Sequence, residues 1–183
     1  MSSGKIIILT GEIQSGKTSL CKEVSLKAKE AGVQLSGLIS PAVFKEGEKT
    51  GIDVINLKNG EHRRLAVLRD GEQTGLETKR WSFINETLKW GNQILENAIP
   101  CELLMVDEFG PLEFDRGEGW VSGLKAVDSG EYLVALIVIR QSLIEKASAR
   151  WNQNISRIID LSDPQSAKIS GDNLFSSLEI QSR

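Results

Sequence analysis

The chain has 183 residues, 40% of them apolar and 26% charged, enough to bury one substantial core without disulfide or metal staples. Its 22 basic against 25 acidic residues give a net charge of -3 with no long run of either sign, which argues against a nucleic-acid binder working by bulk charge. Cys21 and Cys101 lie far apart with no CxxC spacing, and no apolar run suits a signal peptide or a membrane span. A cytoplasmic protein with reduced thiols and no membrane partner is expected.

Lys5–Thr10 (KIIILT) is β-branched and almost wholly apolar, as a strand covered on both faces should be. From Thr18, residues Leu20, Val24, Ala28 and Ala31 recur at helical spacing, and Gly32 suits the stop. Gln34–Ser40 reads as a second strand, ended by Ser40-Pro41. Val43–Lys45, Gly51–Leu57 and Arg63–Leu68 are short strands of an antiparallel meander, with Asn59-Gly60 as a hairpin turn. The polar stretch 69–80 reads as a mobile loop. Ser82 is expected to cap a helix reaching about Asn97, with Phe83, Leu88, Ile94 and Leu95 on its apolar face. Strands follow at Leu103–Val106, Tyr132–Ile139 and Ile155–Leu161, helices at Trp120–Val127 and Ser142–Arg150, and a terminal helix near Asn173–Leu178. This alternation predicts an α/β sheet, largely parallel, with one antiparallel insertion.

GEIQSGKT, Gly11 to Thr18, matches G-x-x-x-x-G-K-[ST] in full, between a buried strand and an amphipathic helix. The glycines allow backbone angles a Cβ would resist, turning several N–H groups onto one anion, and the helix opening near Gly16 adds its positive end. Gly11, Glu12, Ile13, Gln14, Ser15, Gly16, Lys17, Thr18 and Ser19 are therefore the candidate contacts to a nucleotide's phosphates. Lys17 can reach the β- and γ-phosphates, and the Thr18 hydroxyl can ligate Mg²⁺.

LLMVDEFGPLE, Leu103 to Glu113, ends an apolar strand in acids, at the end of an open α/β sheet where ligands bind. Asp107 is the candidate outer partner of the metal, and Glu108 the candidate base that polarises an attacking water. LVALIVIR carries Arg140 to the end of a further buried strand, expected between the other two. There it could stabilise developing charge, as Arg150 and Arg157 could more weakly. His62 reads as an exposed turn residue and the four tryptophans as packing. LSG at 35–37 falls inside a strand. Glu113, Asp115, Arg116 and Glu118 read as a solvated face, with Glu113 alone open to a supporting role behind the site.

In order and spacing, GEIQSGKTSL, GLISPAVFKEGEKTGIDVINLKNGE, WSFINETLKWGNQIL and VDEFGPLEFDRGEGW resemble a family of small nucleoside-triphosphatases typified by thermophile enzymes, with relatives in archaea, bacteria and animals. The resemblance implies a three-layer, RecA-like α/β fold, mostly parallel, with a hairpin insertion at about 42–68, all in one domain over 1–183. It also implies Mg²⁺-dependent hydrolysis of ATP, GTP and related triphosphates, contacts at Gly11–Thr18 and around Asp107–Gly110, and a catalytic Glu108. Glu12 stands where the family often has proline, and the segment after Trp151 matches poorly. Two other classes stay open: a small nucleoside or metabolite kinase using 69–80 as a lid, and a nucleotide-switched binding module.

Overall fold

The computed structural model describes residues 4–69 and 76–180. Alternation in its first strand sets the architecture. In β1 (Lys5–Thr10), Ile6 and Ile8 enter one apolar cluster while Ile7 and Leu9 enter another on the opposite face. The same division recurs in β7 (Cys101–Phe109), with Leu104 and Val106 against Leu103 and Met105, and in β8 (Tyr132–Ile139), with Ala135 and Ile137 against Leu136 and Val138. Strands buried on both faces need helices on both faces, so the continuous apolar runs specify a three-layer fold.

Helices α1 (Lys17–Glu30) and α5 (Gly171–Ser177) cover one face with Leu20, Val24, Ala28 and Leu174. Helices α2 (Asn85–Glu96), α3 (Val121–Ser129) and α4 (Ile144–Trp151) cover the other with Leu88, Leu95, Leu124, Ala147 and Trp151. Between them, β2 (Leu35–Ile39), β7, β8, β1 and β9 (Ile155–Asp160) run parallel in that order. Beyond β2 the sheet turns antiparallel through β4 (Glu48–Asn56), β5 (His62–Leu68) and β6 (Trp81–Phe83), and β3 (Ala42–Lys45) pairs with β4. The expected meander is present, with its turn at Asn59-Gly60, where the Gly60 N–H donates to the Asn56 carbonyl at 2.8 Å.

One reading of local sequence fails. Trp81–Phe83 is a strand pairing with β5, so Ser82 is not a helix cap. α2 begins instead at Asn85, after Ile84, with no side-chain cap. Part of the loop expected over 69–80 lies outside the described residues; Arg69 and 76–80 lie inside, and Glu77 bridges to Ser82. Gly37 of the LSG triplet has φ +114, and a Cβ there would stand 1.9 Å from the Met105 carbonyl oxygen, so it is the residue that lets β2 close on β7.

Candidate active site

The phosphate loop lies between β1 and α1, on an inner strand of the sheet. Gly11 (φ 141), Gln14 (φ 66) and Gly16 (φ 91) curl its backbone, and α1 starts directly after Gly16. Lys17 Nζ donates to the carbonyls of Gly11 at 2.9 Å and Glu12 at 2.6 Å and to Ser15 Oγ at 3.2 Å, so the ammonium lies across the mouth of the loop. Glu12 is exposed; its N–H donates to Ser162 Oγ at 2.9 Å.

Ser162 belongs to the segment after Trp151, which matches the family's pattern poorly. Gln141 Nε2 donates to Ser162 Oγ at 3.1 Å and to Asp160 Oδ2 at 3.0 Å, and the Ser162 N–H donates to Asp160 Oδ1 at 2.8 Å. The Ser162 N–H and Gln141 bonds hold the Asp160 carboxyl below the ordinary range. The end of β9 and the start of α4's approach thus clamp the loop from outside.

Asp107 reaches the loop from the other side, across β8. It is 2% exposed and accepts the Ser40 N–H at 3.1 Å, and the Thr18 hydroxyl favours its charged form. Ser40 Oγ in turn donates to the Asp107 carbonyl at 3.1 Å. Burial raises the Asp107 carboxyl to about 6, against the pull of the Ser40 and Thr18 hydrogen bonds; Glu108 adds to the rise and Lys17 opposes it. The acidic strand and the lysine–threonine cradle are therefore close enough for Thr18 and Lys17 to act on the Asp107 carboxyl. The Thr18 hydroxyl and the Asp107 carboxyl both offer oxygen, and among the described residues no three His, Cys, Asp or Glu gather as a protein-built metal cage. A hydroxyl beside one carboxylate suits Mg²⁺, which takes most of its ligands from phosphate and water.

Glu108 owes its direction to a bulge. Val106 pairs with Ile137 and Phe109 with Ile139, so β7 advances three residues where β8 advances two. Phe109 consequently joins Leu104 and Val106 in one cluster, and Glu108 is the extra residue released from the alternation. It accepts from Arg140 Nε at 2.6 Å. Both partners are about half exposed, so the pair contributes under about 1 kcal/mol and either group can change partner cheaply. Arg150 and Arg157 are not brought to this place: Arg150 pairs with Asp128 at 2.6 Å, and Arg157 lies along exposed β9.

Glu113 is not on a solvated face. It is 7% exposed, in a short π-helical turn (Leu112–Arg116), and accepts the N–H groups of Gly110 at 2.7 Å and Trp120 at 2.8 Å. Burial raises its carboxyl to about 7, with those two N–H groups pulling the other way. The expected packing role fits all four tryptophans: Trp120 and Trp151 are buried in the core, and Trp81 and Trp90 pack half-buried against it while carrying cations on their open faces, with Arg63 4.5 Å from the Trp90 ring centroid.

The fold and this geometry define an α/β phosphate-loop protein whose acidic strand is separated from the loop strand by one other, with a buried carboxylate that the loop's threonine and lysine act on. A family model described as NTPase matches residues 6–162, and the chain belongs to that family. Among its relatives is a nucleoside-triphosphatase THEP1 from Methanosarcina barkeri, 28% identical over 138 residues, 74% of this chain and 77% of that protein. Two solved structures share the fold. A human cancer-related nucleoside triphosphatase superposes with TM-score 0.73 and 18% identity over 98% of this chain and 100% of that one. THEP1 from Aquifex aeolicus gives TM-score 0.66 and 16% identity over 95% and 99%. No helix among the described residues is long and apolar enough to cross a membrane.

Proposed function

We propose that the chain hydrolyses nucleoside 5'-triphosphates such as ATP and GTP to the diphosphate and phosphate, with Mg²⁺ as its cofactor. What supports this reading is the buried Asp107 carboxyl, on which both the Thr18 hydroxyl and the Lys17 ammonium of the loop act. The loop N–H groups and Lys17 bind the phosphates, Lys17 exchanging its carbonyl partners for phosphate oxygens. The Thr18 hydroxyl, and Asp107 directly or through water, would hold Mg²⁺, which when bound neutralises charge on the β- and γ-phosphates.

Glu108 orients a water and takes its proton as the water oxygen bonds the γ-phosphorus; the bond to the β-bridging oxygen breaks, and the diphosphate leaves with that electron pair. Arg140, released from Glu108, stabilises the charge that builds on the transferring group. Lys17→Ala and Glu108→Gln should each reduce phosphate release by at least about a hundredfold. Glu108→Gln should still bind ATP, since it leaves the cradle intact. Full turnover in that variant would remove Glu108 as the base. Omitting Mg²⁺ should silence the wild-type chain. Label from γ-phosphate appearing on an added small acceptor, rather than as free phosphate, would favour the kinase class.

A further inference from the structure

Among the described cations of the antiparallel region, three are matched: Arg63 with Glu61, Arg64 with Asp53 and Arg69 with Glu77. Lys45, Lys49, Lys58, Lys79 and Arg80 have no carboxylate within ion-pair distance among the described residues, and Lys49 and Arg80 differ from the other three in position. Both lie against one ring, Lys49 Nζ at 5.1 Å and the Arg80 guanidinium at 5.3 Å from the Trp81 centroid. Lys49 is also half-buried, whereas Phe44 to Glu48 around the hairpin turn are exposed. A half-buried ammonium without a counter-ion is costly unless an anion arrives.

Sheet geometry says where that anion would be. β4 has nine residues and meets β2 only at Leu38–Asn56 and Ile39–Ile55, so seven, 48–54, continue past the end of β2. At about 3.3 Å per residue they overhang by roughly 20 Å. The end of β2 they pass is the one where Ser40 grips Asp107. β3 follows the same path, with the Asp53 N–H donating to the Pro41 carbonyl at 2.9 Å and Ala42 pairing with Ile52. The insertion thus leans over the phosphate end of the sheet. Lys49 feels the charges of Glu108, Asp107, Arg140 and Arg80; its burial draws the ammonium below the ordinary lysine range, and the two carboxylates resist that. The platform is tied to the acidic turn as well, because Arg116 Nη1 donates to the Glu77 carbonyl at 2.9 Å.

We propose that the β3–β4 insertion supplies Lys49, seconded by Arg80, as a further cationic contact for the terminal phosphate of the bound nucleotide, making the insertion the element that distinguishes triphosphate from diphosphate. This rests on the phosphate-site reading above. The γ-phosphate is the part of the substrate that projects from the loop toward Glu108, and a diphosphate lacks it.

The test is binding of ATP and ADP by calorimetry in a Glu108→Gln background, where turnover is stopped. Lys49→Met should weaken ATP by about 10- to 100-fold, the scale of a lost charge-assisted contact, and ADP by less than about twofold. Arg80→Gln should act in the same direction but less, and Lys49→Arg should recover much of the loss. Arg63→Gln, a cation of the same region seated on Trp90, should change neither. Equal weakening of both nucleotides by Lys49→Met, or none, overturns the proposal. Failure of the hydrolase reading would appear separately, as absent phosphate release from the wild-type chain while the ATP-to-ADP ratio still responds to Lys49.

Discussion

Glu113 illustrates how one buried side chain can serve a neighbouring acid without facing the substrate. As a carboxylate it accepts two N–H groups, from Gly110 and Trp120, and so fixes the turn that follows Glu108. Its folded-state value of about 7 stands above the ordinary 4.5, so the charged form is disfavoured by folding. Stability linked to Glu113 is therefore complete below about pH 4.5 and is lost as pH rises through about 7, by at most about 3 kcal/mol. Glu113→Gln cannot ionise and escapes that loss. Urea unfolding at pH 5 and pH 8 should show the variant gaining stability relative to wild type as pH rises; Asp107, also raised, is common to both chains and cancels. The same variant should hydrolyse more slowly, because an amide offers only one acceptor to two donors. A stability difference that ignores pH would remove the buried carboxylate from this account.

At the scale of elements, β2 has the tightest steric condition. Gly37 combines φ +114 with a backbone neighbour at 1.9 Å from any added Cβ, and the Met105 carbonyl cannot yield without breaking the β2–β7 ladder. Gly37→Ala should lower unfolding free energy by about 2–5 kcal/mol, the sum of left-handed strain and overpacking, measurable as a reduced urea midpoint. Sequence placed β2 correctly but gave no reason for its glycine, since the reason lies on another strand. Strands buried on both faces, β1, β7 and β8, were legible because an unbroken apolar run carries its own signal. β6 was not: three residues that pair with β5 across a long separation look locally like the first turn of the helix that follows. The β7 bulge was invisible for the same reason, although it decides where Glu108 points.

Across the whole molecule, contiguous parts of the site could be read and assembled parts could not. The loop and the acidic pair are each one short stretch, so residue types at fixed spacing sufficed. Gln141 and Ser162 reach the site only through strand order, and nothing in their local sequence marks them. The assembled parts make the loop a junction: β1 and α1 supply it, Ser162 clamps it from β9, and Asp107 meets it from β7. Ligand at that junction should therefore stabilise the whole sheet. Saturation at a hundred times Kd adds about 2.7 kcal/mol, which in a domain of this size raises Tm by about 5–10 °C. Lys17→Ala, which removes the ammonium but not the fold, should lose most of that rise while keeping nearly the same Tm without nucleotide. Ser162→Ala should keep the rise but begin from a slightly lower Tm, because the Glu12 N–H loses its partner at an exposed position where water replaces it. An undiminished rise in Lys17→Ala would mean that the nucleotide is anchored somewhere other than this loop.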